Sequence, residues 1–322
     1  MISKNNVLVT GGAGFIGSNI IDKLLEIGHK VVCLDNFSTG KFVNIKRFLE
    51  NPDFKLIVGD IRDYETCHGA TIGIDVVLHQ AALGSVPRSI EYPLMYESNN
   101  INGTLNIFEA SKRNGVKRVV YASSSSVYGD HAKLPKVESV IGNVLSPYAL
   151  SKKTNEEFGK LYYQLYSLET IGLRYFNVFG PYQNPNGEYA AVIPKFIKSF
   201  ISGEKITIYG DGEQSRDFTY VDNVVQANIN AMHSNIESVG KIYNIACESR
   251  ITLNEIVSRL TLYTGKTCEV KYSEQRKGDI KHSFASIQNA KICLKYNPLV
   301  DFDNGLKKTF DWFKNENRQS NK

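Results

Sequence analysis

The chain has 322 residues, enough for a large buried core, and its 42% apolar and 22% charged content is that of an ordinary soluble globular protein. A net charge of +5 without a Lys/Arg block or basic-aromatic interleaving argues against a nucleic-acid surface, and no apolar run approaches the roughly 18 residues of a membrane span. Five cysteines lie far apart with no Cys-x-x-Cys pair and the six histidines are scattered, so no disulfide framework or metal site is indicated and a reducing, cytoplasmic setting without a signal peptide is expected.

The first predicted strand, Val7 to Thr10, runs into the glycine-rich turn TGGAGFIG. Gly12, Gly14 and Gly17 fit the G-x-G-x-x-G spacing, and Gly11, Gly14 and Gly17 fit its G-x-x-G-x-x-G variant. Small residues there let the backbone turn sharply, approach a pyrophosphate and pack helix on strand, with the N-terminus of a helix from Phe15 facing the phosphates. A second strand, Lys30 to Asp35, ends in an acid about 20 residues on, the spacing of a carboxylate that binds the adenosine ribose. Asp35 would repel a 2'-phosphate, and Asn36, Phe37, Ser38 and Thr39 bring no cation to hold one, so NAD is expected rather than NADP.

Strands and helices then alternate: a helix around Lys41 to Leu49, a strand Phe54 to Val58, a helix near Tyr64 to Ala70, a strand Asp75 to His79, and a long helix near Asn99 to Asn114. A strand Arg118 to Ala122 leads into a serine run, followed by a helix from about Pro147 to Tyr166 and a strand Thr170 to Arg174. This alternation predicts an α/β fold with a doubly wound parallel sheet, whose ligands gather at the carboxyl ends of the strands. Gly11 to Gly17, Asp35, Asp60, Gln80 to Ala82, Ser123 to Ser126 and Asn177 all follow strand ends and are expected to share one crevice. Beyond Phe176 the sequence NVFGPYQNPNGEYAAVIP is rich in Pro, Gly and Asn, which suits a loop system over a ligand. A short strand, Lys241 to Ala246, is a candidate to return to the sheet. The expected organisation is a Rossmann domain of 1–176 with 221–250, a smaller discontinuous α/β lobe of 177–220 with 251–316, and a polar, frayed tail of 317–322.

Tyr148 and Lys152 are four residues apart on the helix after the serine run, so both side chains lie on one face. A phenol with a pKa near 10 becomes a base at neutral pH only with about 4 kcal/mol of preferential stabilisation of the phenolate. A neighbouring ammonium, joined by a positive nicotinamide ring, is a plausible source.

On these residues the chain resembles the extended short-chain dehydrogenase/reductases, and among them the sugar-nucleotide 4-epimerases. The likeness covers nearly the whole chain: TGGAGFIG, LDNFSTG, GDIRD, HQAALGSVPRS, NNINGTLNIFEA, YASSSSVYGD, SPYALSK, RYFNVFG, YAAVIP, GDGEQSRDFTYVDN and RKGDIKHS. The resemblance implies Tyr148 as general base, Lys152 lowering its pKa and holding the nicotinamide ribose, and Ser124 hydrogen-bonded to the reacting sugar oxygen. For NAD it implies Gly11, Gly14, Phe15, Ile16, Gly17, Asp35, Asn36, Ser38, Thr39, Gly40, Gln80, Ala81, Ala82 and Phe176. Asp60 and Ile61 would lie at the adenine, and Asn99 near the cofactor. Arg216, Arg276 and Asp279 match positions that hold UDP, and helices 99–114 and 147–166 match those of a homodimer interface, with Ile107, Phe158, Leu161 and Leu165 facing either a second subunit or the chain's own core.

Related 4,6-dehydratases carry Asp-Glu before Val127-Tyr128-Gly129, and decarboxylases a Glu; here Ser125 and Ser126 stand there, which disfavours dehydration. The chain is most similar to the subgroup that interconverts UDP-GlcNAc and UDP-GalNAc through a 4-keto sugar, with weaker action on UDP-Glc and UDP-Gal. In that subgroup Gly84, Ser85, Ser125, Asn177, Ala191, Val192 and Ser283 would line the substrate pocket. Epimerases restricted to unacetylated sugars carry a Tyr where Ser283 stands. The serine run also occurs in UDP-glucuronate 4-epimerases, which tend to have Thr in place of Asn177. UDP-glucuronate and UDP-hexosaminuronate are therefore alternative substrates, and a non-catalytic NAD-sensing regulator is the alternative of another class.

Overall fold

The computed structural model describes residues 4–186, 190–274 and 281–320, with side chains described through Asn317 in the last helix. Its centre is a seven-stranded parallel sheet. The strands are β1 (Asn6–Thr10), β2 (Lys30–Asp35), β3 (Phe54–Val58), β4 (Val76–His79), β5 (Arg118–Ser124), β6 (Glu169–Tyr175) and a seventh, Lys241–Ile245. In space the seventh strand pairs with β6, and the order continues β5, β4, β1, β2, β3. Contiguous apolar runs such as Val7-Leu8-Val9 form these strands because helices cover both faces of the sheet. Alternate residues point to opposite faces, so Val7 and Val9 join one buried cluster and Leu8 the other. The winding direction reverses between β1 and β4, which opens a crevice at their carboxyl ends.

Several elements differ in form from the sequence reading. The Lys41–Leu49 segment makes a short α-turn, Phe42–Ile45, and a 3-10 turn, Lys46–Phe48. The long helix begins with a π-helical stretch, Glu97–Asn102, ahead of regular turns at Gly103–Arg113. Strand β5 extends through Ser123 and Ser124, and the chain after Phe176 is partly regular. Val178–Phe179 pairs in parallel with Thr219–Tyr220, and a helix spans Val192–Ser202. The last helix spans Phe302–Ser320. Phe302, Leu306, Phe310 and Phe313 bury one stripe of it in the core, and the following polar turns propagate from that anchored end. Helix Leu253–Thr264 follows Ile251–Thr252, and strands Ile206–Tyr209 and Val270–Ser273 pair in parallel outside the main sheet.

Candidate active site

The turn after β1 shows why glycines stand there. Gly11 has φ +66°, and a Cβ on Gly17 would lie 2.2 Å from the Gly11 carbonyl oxygen. Helix α1 (Phe15–Glu26) therefore starts hard against the turn, and its N-cap Gly14 has no side chain to occupy the first amides. Asp35 closes the other side. Its Oδ2 accepts the Ala13 amide at 2.9 Å and its Oδ1 the Phe37 amide at 2.8 Å, while burial pushes the carboxyl up and these two amides work against that shift.

Strand β5 and helix Pro147–Tyr166 bring Ser124, Tyr148 and Lys152 to one place. Ser146 caps that helix by accepting the Ala149 amide at 3.1 Å, and Pro147 occupies its first turn, which fixes Tyr148 at the rim of the crevice. Ser124 hydrogen-bonds the Tyr148 phenol and also accepts the Ser126 amide at 3.1 Å. Burial pushes Tyr148 up, and the bond from Ser124 works in the opposite sense. The protein groups alone thus leave the phenol above its ordinary value rather than below it. Lys152 donates to the Ala122 carbonyl at 2.8 Å, and burial pushes its ammonium down to about 8 against the pull of Glu156. Beneath them His79 bridges Thr10 (2.7 Å) and Thr104 (2.9 Å); burial first, then the Lys152 charge, push it down to about 3, so it is neutral.

A cavity of about 800 Å³ is lined by Gly11, Gly14, Phe15, Ile16, Gly17, Asp35, Asn36, Ser38, Thr39, Ile61, Gln80, Ala81, Ala82, Asn99 and Phe176 on one side. Gly84, Ser124, Ser125, Tyr148, Lys152, Asn177, Arg216 and Ser283 line the other. A second cavity of about 780 Å³ shares Asn177, Val178 and Arg216 with it and holds Ala191 and Val192.

Some expected residues stand off these walls. The Asp60 carboxylate is turned to Arg62 and Asn36, and the Arg62 bonds hold it down at about 2; Gly59 and Ile61 form the wall instead. Gly40 packs on Asp35, where a Cβ would lie 2.9 Å from Oδ1. The Ser85 hydroxyl caps a short helix by accepting the Arg88 amide at 3.3 Å. Arg276 and Asp279 lie outside the described residues.

The sequence reading also missed wall residues. Lys136, which is buried and donates to the His131 carbonyl, lines the first cavity, and its backbone bridges Ala285, distant in the chain. Tyr209, Gln214 and Phe218 line the second cavity. Tyr209 ends the strand Ile206–Tyr209 and the others stand singly between elements, so local pattern offered no signal that they reach a cavity.

A glycine-cradled dinucleotide crevice with a Ser-Tyr-Lys cluster at its mouth defines an NAD-dependent enzyme of the short-chain dehydrogenase/reductase type. The chain belongs to the NAD dependent epimerase/dehydratase family, whose model matches residues 7–246. A solved UDP-N-acetylglucosamine 4-epimerase from Methanobrevibacter ruminantium M1, in complex with UDP-N-acetylmuramic acid, is 41% identical over 98% of this chain and 100% of its own, with a TM-score of 0.92. A putative UDP-glucose 4-epimerase of Methanocaldococcus jannaschii is 40% identical over 314 residues, 97% of this chain and 99% of the relative. A UDP-glucuronic acid 4-epimerase from Bacillus cereus, solved with UDP-glucuronic acid and NAD, is 32% identical over 97% of this chain and 99% of its own, with a TM-score of 0.89. NAD is the cofactor of this family, and the residues around the cavity fit it: the Gly11–Gly17 turn leaves no room for side chains where a pyrophosphate would approach, and Asp35 lies in the cavity wall.

Proposed function

We propose that the chain is a 4-epimerase that interconverts UDP-GlcNAc and UDP-GalNAc, with weaker action on UDP-Glc and UDP-Gal. The observation that carries the sugar assignment is the small Ser283 in the same cavity wall as Ser124 and Tyr148, leaving volume for an acetamido group. Arg216 stands between the two cavities, which suits a diphosphate lying across it with the uridine beyond. When bound, NAD supplies the reversible two-electron acceptor for the sugar C4. Tyr148 takes the proton of the 4-hydroxyl and later returns it, Ser124 holds the same oxygen, and the Lys152 ammonium favours the phenolate. The 4-keto sugar turns over between the two transfers. Ser125 and Ser126 supply no acid for loss of water. The enzyme is read as a cytoplasmic homodimer that supplies precursors for surface polysaccharide.

A second reading, UDP-glucuronate or UDP-hexosaminuronate as substrate, is favoured by the buried Lys136 in the cavity wall, a cation that would suit a C6 carboxylate. Incubation with each UDP-sugar separately, followed by chromatographic separation of the 4-epimers, decides between them. The N-acetylated pair is expected to turn over fastest. Turnover confined to a uronate pair overturns the sugar assignment, and release of NAD on dilution with no turnover of any UDP-sugar favours the regulator.

A further inference from the structure

A buried ion pair lies directly behind the reacting groups. Glu156 is 3% exposed and stands one turn beyond Lys152 and two beyond Tyr148 on the same helix. Its Oε1 accepts the Ser123 hydroxyl at 2.5 Å and Arg174 Nε at 2.8 Å, and its Oε2 accepts a second Arg174 nitrogen at 2.8 Å. Ser123 immediately precedes Ser124 in β5, and Arg174 immediately precedes Tyr175, Phe176 and Asn177, all in the cavity wall. One carboxylate thus fastens the helix of Tyr148 and Lys152 to the strand end of Ser124 and to the adjacent end of β6, where Arg174 pairs with Ser123. Such a pair is a weak source of stability, because desolvation offsets much of its attraction.

We propose that Glu156 is a positioning residue: it aligns Ser124 against Tyr148 and keeps Lys152 in its ammonium form. The proposal rests on the assignment of Ser124, Tyr148 and Lys152 as the reacting groups. Lys152 faces Tyr148 and Glu156 on its own helix and His79 from β4. Glu156 in turn faces Arg174 from β6 and Tyr121 from β5, with the Tyr128 ring stacked 4.8 Å from the Arg174 guanidinium. His79 is neutral, and burial pushes Tyr121 and Tyr128 up, so Glu156 is the anion acting on Lys152 among these groups.

The test uses the purified full chain, stripped of nucleotide and reloaded with NAD, with turnover and NAD affinity each measured from pH 6 to 10. Both are expected to decline as pH rises through the Lys152 titration near 8. Glu156→Gln keeps an acceptor for Ser123 and removes the charge, so it should move this decline down by about one pH unit, a tenfold weaker hold on the proton. Glu156→Asp keeps the charge and should leave the decline in place while lowering kcat. Ser123→Ala should lower kcat with no shift of the decline. A decline at the same pH in wild type and Glu156→Gln overturns the proposal, as does one displaced in Glu156→Asp. The affinity measurement needs no sugar, so failure of every UDP-sugar to turn over would strike the epimerase reading and leave the role of Glu156 to be decided by NAD binding.

Discussion

At the scale of the residue, the proposed chemistry turns on a phenol whose burial holds it above its ordinary value, so Tyr148 acts as a base only with a cation such as that of Lys152 beside it. Tyr148 and Lys152 share a helix face at any tertiary arrangement, and Ser124 ends a strand that its own apolar run marks out. The direction of the Tyr148 shift was not legible, because burial is a property of the assembled wall. Lys136, Tyr209 and Gln214 were hidden for a related reason: only the folded chain brings them to the cavities. Tyr148→Phe should leave the fold and NAD binding intact and cut turnover about 10²-fold or more, since the proton acceptor is gone; near-normal epimerisation would remove Tyr148 from the mechanism. Ser283→Tyr should act on the substrate rather than the chemistry. A ring there would overlap an acetamido group but leave a C2 hydroxyl its space, and such overlap typically costs about 1–3 kcal/mol in a packed site. Loss of about ten- to a hundredfold in relative kcat/KM is expected for the acetylated pair alone. Both sugar pairs must be measured on one preparation, since equal loss on both would point to damage in the segment that carries Ser283.

At the scale of the element, the six strands of the nucleotide-binding half could be read because strands buried on both faces are nearly uninterrupted apolar runs. The two-residue strands Val178–Phe179 and Thr219–Tyr220 are too short to impose a period, and the π-helical stretch Glu97–Asn102, ESNNIN, is rich in weak helix formers whose pattern does not separate a π-helical turn from an α-helical one. The β1-to-α1 turn offers a direct test of what glycine does there. Gly17→Ala would place a methyl 2.2 Å from the Gly11 oxygen, so the helix must retreat from the turn. NAD affinity should fall at least about tenfold and the melting temperature should drop by about 1–2 degrees for each 1 kcal/mol lost, the scale for a chain of this size. Unchanged NAD affinity would place the pyrophosphate elsewhere. Asp217 tests how segments distant in the chain are fastened together. Its buried carboxylate accepts the Cys247 amide at 2.9 Å and the Ala285 amide at 3.4 Å, and burial pushes it up to about 7 with those amides opposing. A carboxyl whose folded pKa lies above its unfolded value stabilises most at low pH and loses that contribution as pH rises through the folded pKa. Wild-type stability should therefore decline between about pH 4 and pH 7 more steeply than that of Asp217→Asn, as followed by thermal melts. Parallel profiles would mean that Asp217 does not titrate in that window.

At the scale of the whole molecule, the open question is which apolar surface associates. The sequence could not separate core from interface along the two long helices, because both need the same residue types at the same spacing. The structure divides them: Ile107 is fully buried and Phe158 packs on the same internal cluster, whereas Leu161 is 44% and Leu165 66% exposed. Leu150, 50% exposed, lies three turns before Leu161 on the same stripe. Ile90 and Leu94, from the segment packed beside this helix, are also exposed. A twofold pairing of these helices would cover the stripe, and each residue would count twice in a symmetric interface. Light scattering at micromolar concentration is expected to show a dimer. Leu161→Glu with Leu165→Glu should weaken it on the order of 10²-fold or more, given roughly 1.5–3 kcal/mol for fully burying each leucine and about half of that area already covered. Leu262→Glu, on the exposed face of helix Leu253–Thr264, should leave the dimer unchanged and so separates a specific interface from general adhesion of apolar surface. A wild-type monomer would rule the dimer out. A double variant that remains dimeric would move the interface to another face, with Leu262 the first position to examine.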